Sequence, residues 1–66
     1  MTRLTFASRL CNARHAAGLT QQETAKRAKI SNVHLNRLEH GHHVPTTATL
    51  KRLAKVLKVS MEALIK

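Results

Sequence analysis

Four side chains in the stretch "ISNVHLNRLEHG" have the types and spacing to read nucleic-acid bases: Asn32, Val33, Asn36 and Arg37. At 100° per residue they fall on one side of a helix, and Leu35 and Leu38 fall on the other. An asparagine can bond adenine through N6 and N7, and an arginine can bond guanine through O6 and N7. An apolar side chain can touch the methyl of thymine. Asparagine is a poor helix former, so a helix that displays two of them is not chosen for helix stability.

Other reactive groups carry less. Cys11 and His15 are four residues apart on one helix. They lack an oxyanion donor and a third partner, so the pair reads as a surface coincidence. His34, His40, His42 and His43 lie within ten residues, with His15 apart from them. Zinc sites add cysteine or a fixed histidine spacing on one element, so no metal or other cofactor is expected. Histidines near a helix end suit phosphate contact instead, and they gain charge as pH falls. Of the three acids, Glu23 and Glu62 belong to first turns, where negative charge complements the helix dipole. Glu39 follows Leu35 by one turn, near the core boundary, and a partly buried carboxylate needs a partner. No pair of carboxylates is left for acid–base chemistry, and an enzyme is not expected.

The elements that must hold these residues are all helical. Phe6, Leu10, Ala13 and Ala17 form one apolar stripe of a first helix over 5–17, stopped at Gly18. Thr20 and Glu23 form a capping box for a second helix over 21–28, whose inner face is Thr24, Ala25 and Ala28. Ser31 caps a third, from 32 to about 40, and Gly41 ends it. Thr46 caps a fourth with the stripe Leu50, Leu53, Ala54 and Leu57. Ser60 caps a short fifth containing Met61, Leu64 and Ile65. Two short helices joined by a turn of three to four residues make a helix-turn-helix, whose second helix enters the major groove.

Composition agrees. Twelve Lys and Arg against three acids give a net charge of +9 on 66 residues. Such a balance implies a polyanionic partner, of which nucleic acid fits best. One cysteine allows no internal disulfide. Without a leader-like segment or a long apolar run, a cytoplasmic chain is expected, with no membrane association. The length suits one domain, 1–66, of modest stability.

"TQQETAKRAKISNVHLNRLEHG" resembles the helix-turn-helix of the λ-repressor/Cro/Xre family. "FASRLCNARHAAGLTQ" resembles that family's first helix, and "PTTATLKRLAKVLKVSMEALI" its fourth and fifth. The resemblance implies an all-α, five-helix DNA-binding domain. It further implies a repressor that binds a palindromic operator as a dimer, here weak and assisted by DNA. Asn32, Val33, Asn36 and Arg37 match the base-reading positions. Gln21 matches a residue that touches phosphate and braces a reading side chain, and Ala25 the small residue at the helix crossing. Thr20, Gln22, Ser31, His34, His42, His43 and Thr46 join Gln21 as candidates for backbone contact or bracing. Arg14 and Glu39 match an ion pair between the first and third helices. Lys29 and Lys58 stand where glycine is frequent, and Thr24 and Ala28 where leucine is common. The nearest alternative is an antitoxin or adaptor with the same motif and a protein as main partner. No small-molecule ligand is expected.

Overall fold

The computed structural model describes residues 5–65. Its helices are α1 (Phe6–Ala16), α2 (Gln21–Ala28), α3 (Asn32–Glu39), α4 (Thr47–Leu57) and α5 (Met61–Ile65). No strand occurs among the described residues.

Each start is set by a hydroxyl. Thr5 accepts from Ser8 N–H at 3.2 Å, Ser31 from His34 N–H at 2.9 Å, Thr46 from Thr49 N–H at 3.2 Å and Ser60 from Ala63 N–H at 3.1 Å. Thr20 and Glu23 close a reciprocal capping box: Thr20 Oγ1 accepts from Glu23 N–H and Glu23 Oε1 from Thr20 N–H. Both bonds satisfy donors that a helix start leaves orphaned.

The first four helices end in one way. A residue in the left-handed region turns the chain, and the next N–H returns five residues to a carbonyl of the last turn. These bonds are Leu19 to Arg14, Ile30 to Ala25, His42 to Arg37 and Val59 to Ala54, at 2.9–3.2 Å. The turning residues are Gly18, Lys29, Gly41 and Lys58. Glycine adopts this conformation freely, whereas a side chain pays about 1 kcal/mol. Lys29 (φ 60°) and Lys58 (φ 57°) accept that cost because the residue after each, Ile30 or Val59, is thereby packed against the core. Leu19 does the same after Gly18. His42 is the exception: it is exposed.

The core consists of Leu10, Ala25, Ala28, Leu35, Leu38, Leu53, Ala54, Leu57 and Leu64. The packed pairs are α1 with α3 and α5, α2 with α3 and α4, and α4 with α5. In this order α2 stands between α3 and α4, and its inner face of Thr24, Ala25 and Ala28 lets both approach. Thr24 is fully buried and donates its hydroxyl to Thr20 O at 2.9 Å, so it leaves no orphan polar group. The expected stripe of α1 is corrected at one end. Ala17 is exposed, because the helix stops at Ala16 and Ala17 is the cap. The inward position of that last turn belongs to Arg14.

Candidate nucleic-acid interface

Alternation on α3 separates anchor from display. Leu35 and Leu38 are fully buried, whereas Asn32, Val33, Asn36 and Arg37 are exposed. Val33 keeps 61% of its surface accessible, a large value for an apolar residue at a position a solvated helix would fill with Lys or Glu.

Behind this face runs a relay of side chains. Arg14 on α1 donates to both carboxylate oxygens of Glu39, through Nε at 2.7 Å and Nη2 at 3.1 Å. Its Nη1 donates to Leu19 O at 2.9 Å. Glu39 Oε1 also accepts from Gln21 Nε2 at 3.2 Å. Gln21 Oε1 in turn accepts from Asn36 Nδ2 at 3.3 Å. The chain α1–α3–α2–α3 thus ends on a side chain of the displayed face. The Arg14 and Glu39 side chains are 11% and 3% exposed, so the pair lies where its charges are weakly screened. The hydrogen bonding that Arg14 donates to Glu39 is the main cause that lifts its guanidinium above its ordinary pKa, against the opposing effect of burial.

The remaining sequence-derived positions have different partners. Thr20, Ser31 and Thr46 spend a hydroxyl lone pair on their own helix starts. Gln22 is exposed beside Gln21 at the start of α2. The His34 ring meets the His43 ring edge-on at 6.0 Å, which ties α3 to the following segment. The His40 and His42 rings are also 6.0 Å apart, and His40 Nδ1 lies 2.7 Å from Asn36 O. Among the described residues, no three His, Cys, Asp or Glu side chains gather as a metal site requires. His15 Nε2 accepts from Arg14 Nη2 at 3.4 Å.

Two features escaped the sequence reading. The third acceptor of Arg14 is a backbone carbonyl, which side-chain patterns do not show. The other is a basic cleft where Arg27 and Lys29 meet Arg52 and Lys55. Its signal was present, since Arg52 and Lys55 are three apart on the exposed face of α4.

The helix-turn-helix family model matches residues 12–64, and the chain belongs to this family of λ-repressor/Xre-like DNA-binding regulators. It is 36% identical over 62 residues to the HTH-type transcriptional regulator ImmR of Bacillus subtilis, covering 94% of this chain and 49% of that one. It is 40% identical over 58 residues to the uncharacterized HTH-type transcriptional regulator y4dJ of Sinorhizobium fredii, covering 88% and 75%. The chain therefore spans about half the length of the first relative and three quarters of the second. Its fold is similar to that of the P22 c2 repressor solved in complex with a synthetic operator. That match has a TM-score of 0.91 and 25% identity, with 97% of each chain covered. No helix among the described residues is long and apolar enough to cross a membrane.

Proposed function

We propose that the protein is a Cro-like transcriptional repressor that binds a palindromic operator in double-stranded DNA, with α3 in the major groove. The observation that carries this reading is the displayed face of α3, held from behind by two buried leucines and by the relay ending on Asn36. Asn32 and Asn36 read adenine, Arg37 reads guanine and Val33 meets a thymine methyl. Gln21 holds Asn36 in position, so less side-chain entropy is lost on binding. Thr20, Gln22, Ser31, His34, His42, His43 and Thr46 lie against phosphates or support the reading side chains. Helix N termini favour such contacts, because their free N–H groups and dipole attract anions. That the similar P22 c2 repressor was solved in complex with a synthetic operator supports DNA as the partner.

A palindrome implies two copies. An apolar groove beside α5 suits a second copy of the chain: Phe6, Val44, Pro45, Leu50 and Ile65 line it, with Val44 91% and Ile65 52% exposed. The patch is small, so the dimer is weak in solution and completed on DNA. The same groove would serve the alternative, an antitoxin, if it held a foreign protein. A pull-down that recovers one stoichiometric protein partner would favour that reading. In this reading the chain is one DNA-binding domain that acts in the cytoplasm without cofactor or catalysis.

Selection of bound sites from random duplexes tests the proposal. The expected result is an inverted repeat with adenine and guanine at fixed positions of each half-site. Recovery of unrelated sequences, or of a single unrepeated half-site, would overturn it.

A further inference from the structure

The exposed positive charge is distributed unexpectedly. α3, the helix assigned to the groove, carries one arginine, Arg37. Lys26, Arg27 and Lys29 lie at the end of α2, and Lys51, Arg52, Lys55 and Lys58 lie along α4, all of them exposed. Where these two helices pack, Arg27, Lys29, Arg52 and Lys55 line a cleft of about 320 Å³ floored by Val56. No carboxylate lines it. Glu23, one turn back on α2, attracts Arg27 but stands outside the lining.

Helix dipoles explain part of this arrangement. A basic residue in a last turn is favourable, and Arg27 and Lys55 occupy such turns. Dipoles do not explain Arg52 in the middle of α4. Nor do they explain Lys29, which takes a left-handed conformation that glycine would adopt without cost, and which brings a fourth cation to the cleft. Four like charges brought together destabilise the free protein unless an anion joins them.

We propose that this cleft is a second DNA-binding site, which grips the phosphodiester backbone of a second duplex while α3 occupies the first. The inference rests on the DNA-binding reading above. Three observations select the occupant. Val56 is the one apolar residue lining the cleft, and the rest of its apolar surface belongs to the stems of the four cations, whereas protein interfaces depend on buried aromatic and aliphatic anchors. A phosphate backbone offers the converse, dense charge with little apolar surface. Arg27 lies six residues beyond Gln21 on α2, and Arg52 six beyond Thr46 at the α4 cap. At about 1.5 Å per residue, the cleft is roughly 9 Å along both helices from their N termini. No α3 residue lines it. In this reading the protein bridges two DNA segments, α3 reading bases on one and the cleft holding the backbone of the other.

A two-duplex capture experiment tests the bridge. One short duplex is fixed to beads, protein is bound and washed, and a second, labelled duplex is added. Wild type, Arg37→Ala and the triple variant Arg27→Gln/Arg52→Gln/Lys55→Gln are compared, after their melting temperatures establish that each is folded. The expected result is that wild type captures the labelled duplex. The triple variant should still bind the first duplex but lose capture of the second by about tenfold or more, as the removal of three phosphate contacts implies. Arg37→Ala should instead weaken retention on the first duplex. Undiminished second capture by the triple variant would overturn the proposal. So would equal losses on both duplexes, which would make the cleft part of the first interface. Absence of second capture, with polyglutamate bound through the same three residues, would replace DNA by an acidic protein. Failure of wild type to bind even the first duplex would instead strike the DNA-binding reading itself.

Discussion

Arg37 stands exposed on α3 beside the buried Leu38, so removing its side chain disturbs no core contact. Arg37→Ala should weaken the cognate operator by about 1–3 kcal/mol and relax preference at one base pair per half-site. Titration of cognate and scrambled duplexes at fixed salt checks this, and equal losses on both would make Arg37 a phosphate contact. Glu39 belongs to the fold as well as to the face. Glu39→Gln leaves the Arg14 guanidinium without its charge partner in a mostly buried place. A loss of about 3 kcal/mol is expected without DNA, read as a lowered Tm. Glu23 makes a prediction in pH. Hydrogen bonding to Thr20, through its backbone N–H first, holds the Glu23 carboxyl below its ordinary value. A depressed folded-state pKa contributes stability that is fully present above the unfolded value of 4.5. That contribution is lost as pH falls through the folded value. Glu23→Gln should therefore cost less at pH 3 than at pH 7, and melting curves at the two pH values compare them.

At the scale of elements, the helix ends make the clearest prediction. Lys29 and Lys58 hold φ values of 60° and 57° where glycine would be unstrained. Lys29→Gly and Lys58→Gly should each stabilise by up to about 1 kcal/mol, less whatever glycine adds to the entropy of the unfolded chain. A lowered Tm for both would mean that the lysine side chains contribute more than the backbone loses. These ends also show how far the sequence could be read. Hydroxyl caps, the capping box and the leucine spacing are local signals, and they placed the helices within a residue or so. Ala17 was misplaced because periodicity carries no information about where a helix stops. The Gln21–Asn36 contact was accessible only as a family resemblance, since residues fifteen apart meet by tertiary packing. The cleft between α2 and α4 showed only its α4 half, Arg52 and Lys55 three apart, and each half looks like an ordinary solvated face until the helices are packed.

For the whole molecule, charge sets the association. If phosphates neutralise the recognition side alone, log K for one duplex should fall with log salt by roughly 0.9 per phosphate contacted. A bridging protein adds a second, equally salt-sensitive step at higher DNA concentration. Titrations at several ionic strengths should resolve two stages below moderate salt and one above it. A slope near zero in both would remove DNA as the principal partner.

The relay from Arg14 to Asn36 also has a polarity. A guanidinium can only donate and a carboxylate only accept, so Gln21 must offer its amino group to Glu39 and its carbonyl to Asn36. Asn36 is then obliged to spend one amide hydrogen inward. Its carbonyl oxygen and its other hydrogen stay free, an acceptor beside a donor, which complements the N6 and N7 edge of adenine. An isolated asparagine is ambiguous to a half-turn of its amide, and here a fixed charge on another helix removes the ambiguity. Gln21→Met would remove both the donor to Glu39 and the acceptor for Asn36, and break the relay at its middle. Asn36 could then turn its amide either way, and the operator alphabet at that position would widen although no base-contacting residue had changed.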